Sequence, residues 1–283
     1  MTDTDYALNV NWHPSDVAGL TYVYPVVSRR AGGVSVGINL NTNHACNWRC
    51  AYCQVPDLQR GSAPPVDVAL LERELDQFLA YVLHGDFMQR HVPVEARVLK
   101  DIAFSGDGEP TSAREFAEAV AAAGRVMEKH QLTGKIPLVV ISNGSQLDKA
   151  RVRQALTRLA ELGGELWFKF DRATPEGMRQ INGTRTSPLR HLENLKTALT
   201  LCPVWVQTCM VAWDGEPPAE SELVAWLDVI CPLAGQVKGV LLYGLARPSM
   251  QPQAVHLSAL PADWMEAFAS RIRACGLAVR LSV

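Results

Sequence analysis

Three cysteines fall within eight residues in the stretch NTNHACNWRCAYCQVPD (Asn41–Asp57), spaced Cys46-x3-Cys50-x2-Cys53. Thiols this close together, in a chain whose other four cysteines are scattered, point to a metal site. A structural zinc ion takes four protein ligands. No fourth thiol lies nearby, and His44, two residues before Cys46, is a cramped substitute. Three thiolates suit a [4Fe–4S] cluster that leaves one iron without a protein ligand. An open metal position marks a site that takes a small molecule, as it does in zinc enzymes. The motif leaves one alternative standing, a non-catalytic zinc-binding or redox-sensing protein.

Other chemistry-bearing residues sit in four further stretches: AFSGDGEPTS (103–112), VVISNGSQ (139–146), LWFKFDRATPEGMRQINGTR (166–185) and LLYGLARPSM (241–250). Ser142 and Asn143 suit hydroxyls. Lys169 and Asp171 alternate with Phe168 and Phe170, and a charged pair on one face of a buried strand is costly without partners. Turned inward, toward a ligand, the pair would find them. Arg247 could grip a carboxylate bidentately. Gln207 and Thr208, polar residues inside an apolar run, are weaker candidates.

The elements that would carry these residues follow from periodicity. Apolar runs rich in β-branched and aromatic residues at 33–40, 99–105, 136–142, 165–170, 203–211 and 239–244 predict six short buried strands. Amphipathic segments between them predict helices over 67–83, 112–130, 147–162, 187–201 and 218–231. Ser112 and Ser187 stand at N-cap positions, with Pro188 at a first helical position; Gly163-Gly164 is a helix stop. A last helix (261–274) and strand (276–283) follow. Strands alternating with helices predict an α/β protein with a parallel sheet. In such folds ligands gather at the carboxyl ends of the strands, where Cys46, Glu109, Ser142-Asn143, Lys169-Asp171 and Arg247 all fall.

Cys-x3-Cys-x2-Cys after the first strand, with aromatic Tyr52 before the third cysteine, resembles the radical S-adenosylmethionine (radical SAM) superfamily. The resemblance runs over roughly residues 34–245. It implies a partial (β/α)6 barrel with an N-terminal extension (1–33) and a C-terminal helix-strand extension (246–283). It implies that Cys46, Cys50 and Cys53 bind one [4Fe–4S] cluster and that S-adenosylmethionine (SAM) chelates the open iron. Reductive cleavage of SAM would then give a 5′-deoxyadenosyl radical that abstracts hydrogen from a substrate. By the same resemblance, Gly108 and Glu109 hold the methionine ammonium, in a segment that Asp107 makes one residue longer than usual. Ser142 and Asn143 contact ribose or methionine, Tyr52 packs on the cofactor or shields the cluster, and Tyr243 and Arg247 face adenine or substrate. The segments at 104–112 and 168–183 look most like the group related to wybutosine synthases and glycyl-radical activases. A flavodoxin- or ferredoxin-like reductase is the implied electron donor. A small molecule, a peptide or a protein is the implied substrate.

Composition narrows the classes. The chain has 283 residues, is 48% hydrophobic and carries a formal net charge of -2. That length buries a large core. No apolar run reaches membrane-spanning length, and the start is polar and acidic, unlike a secretory signal. The near-neutral charge disfavours nucleic acid, which leaves a tRNA-modifying enzyme as an alternative within the class. The basic run of Lys149, Arg151, Arg153 and Arg158 reads as a solvated helix face. The N-terminal segment 12–33, including His13, reads as an ordered extension. Seven cysteines in a chain of this length suit a cytoplasmic protein with reduced thiols. Cys202, Cys209, Cys231 and Cys275 are then expected as core residues.

Overall fold

The computed structural model describes Leu8, residues 19–28 and residues 32–283. The expectations for residues 12–18, including His13, and for residues 29–31 lie outside the described residues. The chain opens on β1 (Val23–Ser28) and β2 (Gly33–Ile38), then the two-residue strands β3 (Ala45–Cys46) and β4 (Gln59–Arg60). Next come α1 (Val68–His84), α2 (Phe87–His91), β5 (Leu99–Phe104), α3 (Phe116–Lys129), β6 (Leu138–Ser142), α4 (Ala150–Glu161) and β7 (Glu165–Lys169). The remainder is α5 (Pro175–Asn182), α6 (Pro188–Leu199), β8 (Val204–Cys209), β9 (Ala212–Trp213), α7 (Glu220–Ile230), β10 (Gly239–Tyr243), β11 (Leu257–Ser258), α8 (Ala262–Ala274) and β12 (Val279–Ser282).

Eight strands form one curled sheet in the order β1-β2-β5-β6-β7-β8-β10-β12. All neighbours from β2 to β12 pair in parallel, as crossover helices require. The six strands expected from the apolar runs are β2, β5, β6, β7, β8 and β10, and they build the partial barrel. Side chains alternate between its two faces. The outer face packs under the helices, with Phe78 and Leu75 of α1, Phe116 of α3, Leu156 of α4 and Trp226 of α7 fully buried. The inner face carries a separate cluster of Ala103, Val139, Trp167, Trp205 and Leu241.

Several expectations need correction. The N-terminal segment is not only a covering extension: β1 adds an antiparallel edge to β2, with Val23 opposite Ile38. Ser112 does not cap α3. It ends a 3-10 turn (Pro110–Ser112), and its Oγ accepts from the Ala63 amide at 2.9 Å and from Asn41 Nδ2 at 3.3 Å. Ser187 does cap α6, accepting from Arg190 N. Cys202 and Cys209 are buried free thiols as expected. Cys231 and Cys275 are instead joined in a disulfide, because the C-terminal ends of α7 and α8 bring their Cα atoms to 5.4 Å across 44 residues of sequence. The basic run is not simply a solvated face either. Arg151 donates to the carbonyls of Thr111 and Ala113, and Arg153 to those of Leu147 and Asp148. Among the described residues, no helix is long and apolar enough to cross a membrane.

Candidate cofactor and active site

A cavity of about 700 Å³ opens at the carboxyl ends of the strands. Cys46, Cys50 and Cys53 all line it and all are free. Cys46 lies on β3; Cys50 and Cys53 follow on a loop joined by a Cys53 N to Cys50 O hydrogen bond of 3.0 Å. Both flanks of this loop are held by backbone. On one side Ala51 N donates to Ile181 O at 2.7 Å, and Arg49 N donates to Asn182 O at 3.2 Å. There Gly183 follows α5 with φ +57°, and a Cβ would stand 2.2 Å from Arg49 O, so only glycine fits. On the other side Ser249 Oγ donates to Ala51 O at 2.6 Å, and Met250 N donates to Cys53 O at 2.9 Å. Burial first, then neighbouring anionic groups, pushes the Cys46 thiol up to about 12. Burial does the same to Cys50. Thiols in such a setting ionise only when a metal supplies the positive charge.

The Glu109 segment meets this loop directly. Gly108 presses against it: an added Cβ would lie 2.2 Å from Ala45 O. The extra residue, Asp107, is absorbed by Asn39, which gives its Nδ2 to Asp107 Oδ2 at 2.8 Å and takes Asp107 N on its Oδ1 at 3.2 Å. Glu109 lines the cavity and is 2% exposed. Its Oε1 accepts from Thr111 N, Thr111 Oγ1 and Ser142 Oγ, and its Oε2 accepts from Asn143 N at 2.7 Å. Burial pushes its carboxyl above the ordinary range, against these bonds. One lone-pair position therefore remains on Oε2 for a further donor.

The residues expected from the sequence divide into those that face the cavity and those that stand behind it. Tyr52, Gly108, Glu109, Asn143, Lys169 and Arg247 line the space. Ser142 does not; its hydroxyl is spent on Glu109 at 2.7 Å and receives Gly144 N at 2.9 Å. Asp171, 2% exposed, also turns away. Its Oδ1 accepts from Cys209 N at 2.7 Å; its Oδ2 accepts from Tyr52 Oη at 2.5 Å and Asn182 Nδ2 at 2.6 Å. The expected inward Lys169-Asp171 pair is thus divided because Asp171 falls past the strand end, where the loop turns its carboxylate toward these donors. Lys169 Nζ stays inside, 3.0 Å from Tyr243 Oη and 4.9 Å from the Tyr52 ring centre. Burial opposes its charge, but Tyr243, Asp171 and Cys50 outweigh burial and hold Lys169 well above the ordinary lysine range. Asn47 and Asn182 were not anticipated. Asn47 ties the cysteine loop to Asn143 at 2.9 Å and Ser145 at 2.6 Å. Asn182 Nδ2, besides Asp171, lies 3.7 Å from Cys50 Sγ. Their only sequence signal was a polar residue inside a motif, which turns supply everywhere.

The sequence pattern of the Radical SAM superfamily matches residues 40–227, two thirds of the chain. The protein belongs to the radical SAM superfamily. Members of this family bind a [4Fe–4S] cluster and SAM. Its fold is similar to a radical SAM methyltransferase from Sphaerobacter thermophilus, with a TM-score of 0.63 and 14% identity over 94% of this chain and 70% of that one. It is also similar to TYW1 solved with a lysine-pyruvate adduct bound, with a TM-score of 0.51 and 13% identity over 89% of this chain and 84% of that one. At these identities the likeness is one of fold. Among curated proteins, 149 residues are 29% identical to the GTPase Obg of Brachyspira hyodysenteriae, 53% of this chain and 19% of that protein. The radical SAM chain thus corresponds to about a fifth of that relative's length.

Proposed function

We propose that this enzyme holds one cluster through Cys46, Cys50 and Cys53 and binds SAM across the mouth of the cavity. The observation that carries the reading is that three free thiols and Glu109, the buried carboxylate with an acceptor position left, open onto the same space. When bound, the two cofactors supply one-electron cleavage of the sulfonium and a hydrogen-abstracting radical.

The chain's own residues bind and orient. Glu109 Oε2 accepts the methionine ammonium, as a cation in a buried site requires, and the glycine at 108 lets backbone come close. Asn143 contacts methionine or ribose from the end of β6. Lys169 and Arg247 supply positive charge for carboxylate or phosphate-like groups, and Tyr52 walls the cluster. Ser142 and Asp171 are positioning residues: the first aims Glu109, the second fixes Tyr52 and the β8 backbone. Residues 34–245 form the catalytic core, with 1–33 and 246–283 as extensions.

A flavodoxin- or ferredoxin-like reductase in the cytoplasm provides the electron. The cavity suits a small molecule or the end of a peptide. Arg151 and Arg153, engaged with backbone carbonyls, lend no support to a tRNA-binding face. Anaerobic reconstitution tests the reading: about four iron and four sulfide per chain, with 5′-deoxyadenosine released from SAM under strong reductant. Cys50→Ala should do neither. Zinc without sulfide in the wild type would sink the proposal.

A further inference from the structure

Gln207 stands out among the cavity-lining residues. It lies on the inner face of β8, is 0% exposed, and neither its Oε1 nor its Nε2 finds a hydrogen-bond partner among the described residues. Its neighbours do not share this state. Thr208, on the opposite face, donates to Phe170 O at 3.0 Å. Asn143, at the cavity mouth, donates to Asn47 Oδ1 and accepts from Ser145 N. A buried amide left unpaired on both ends destabilises the free protein, and native structures rarely keep one without a use.

Its depth separates it from the cysteines and Glu109, though not from Lys169. The cysteines and Glu109 lie at the strand ends. Gln207 is two residues before Cys209 on the same face, level with Lys169 on β7, and one inward step above Trp205. Trp167, the indole on β7 below Lys169, also lines the cavity. A ligand that fills this inner end meets the edge of an amide and the neighbourhood of an indole ring.

We infer that Gln207 is a substrate-recognition residue, and that the group it receives is a planar, uncharged amide with an N–H beside a C=O. The inference rests on the radical SAM reading above and names the substrate chemistry of that site. A primary amide presents one acceptor and one donor side by side in a plane. A carboxylate would answer the donor and repel the acceptor. An ammonium would answer only the acceptor. Another amide answers both and lies flat, as a neighbouring indole favours. Carboxamide side chains and the lactam edges of nucleobases both carry this pattern.

The test uses the reconstituted, SAM-loaded protein with L-glutamine, L-asparagine or uracil as probes, and L-glutamate and L-leucine as controls. At millimolar probe, at least one amide should raise the wild-type melting temperature by about 2–4 °C; the controls should not. Response to the amino-acid carboxamides assigns a side-chain-like substrate, and response to uracil a nucleobase-like one. Gln207→Leu should melt about 2–4 °C higher than wild type without probe, since the orphan amide is gone, and should bind the amide probe at least about tenfold more weakly. Gln207→Asn, which keeps the amide, should retain the probe preference. Three results would overturn the inference: no amide shifts the wild type; Gln207→Leu responds as the wild type does; or Gln207→Leu loses SAM affinity while its probe response stays intact, which would give the amide to the cofactor instead. None of these touches the cluster reading, which stands or falls on wild-type iron, sulfide and 5′-deoxyadenosine.

Discussion

The two ends of the barrel are built from the same strands and treat polarity in opposite ways. At the amino ends, Glu165 of β7 closes the floor. Its Oε1 takes Trp167 Nε1 at 2.9 Å, and its Oε2 takes Trp205 Nε1 at 3.3 Å and Lys238 Nζ at 2.5 Å. The Arg280 guanidinium lies 4.3 Å from the Trp205 ring centre. One carboxylate thus answers two indoles and a cation. At the carboxyl ends, Glu109 is fed by donors from its own turn and from β6, yet it faces a cavity with one acceptor position left. Lys169 and the three thiols face that cavity too. A satisfied carboxylate plugs a barrel; a carboxylate with capacity left, beside charges held apart around a space, makes a site.

The sharpest way to break this contrast is at the mouth. Cys50→Ala should eliminate cluster assembly and SAM cleavage outright while leaving the fold intact, read by iron content, visible absorbance and circular dichroism. At the floor the loss should be one of stability. Glu165→Ala strands two indole N–H groups, and Lys238 is partly exposed, so we expect about 2–3 kcal/mol of destabilisation by urea unfolding. Iron content per folded chain should not change. If Glu165→Ala instead lost its cluster while remaining folded, the two ends would not be independent.

Glu109→Gln separates charge from shape. It should bind SAM about tenfold or more weakly by equilibrium dialysis, and lose about 1–2 kcal/mol of stability, because the donors around Oε1 keep an acceptor while Asn143 N loses the one it had on Oε2.

The smallest effect is a pH dependence behind the sheet. Burial pushes His191 down to about 4 from 6.5. Its Nε2 faces Lys169 O at 2.9 Å, and Nδ1 has no hydrogen-bond partner among the described residues. It stacks on Phe170 with ring centres 4.7 Å apart. Between pH 6.5 and 4 the unfolded chain takes up a proton here and the folded chain does not. Stability therefore rises with pH in this window and is lost as pH falls. The loss from pH 6.5 to 5 should be on the order of 1–2 kcal/mol. His191→Phe should flatten that decline in urea titrations at both pH values.

Much of the architecture was legible because it rests on local pattern. β-branched runs between amphipathic segments mark strands and crossovers, and all six predicted strands occur within a few residues of their expected positions. The cysteine spacing and Glu109 were legible for the same reason, being short motifs at strand ends. β1 was not legible: VYPVVS contains a proline, and proline demotes a run. It is tolerated because β1 is an edge strand. The Cys231–Cys275 disulfide was hidden by a sequence separation of 44.

What the sequence determined by itself, then, is the order of strands and helices and the set of side chains delivered to the carboxyl ends, because side-chain alternation and the 3.6-residue period are local properties. Which of those side chains face the cavity was decided only in three dimensions. Asp171 and Ser142 reach strand ends as Glu109 does, yet nearby donors draw them out of the space. Gln207 reaches the inner face, where its amide finds no hydrogen-bond partner among the described residues. Hydrogen-bond partners are supplied by neighbouring strands and loops, from Asp171 to Tyr52 119 residues away and from Glu109 to Ser142 33 residues away. Such pairings exist only after the sheet has curled.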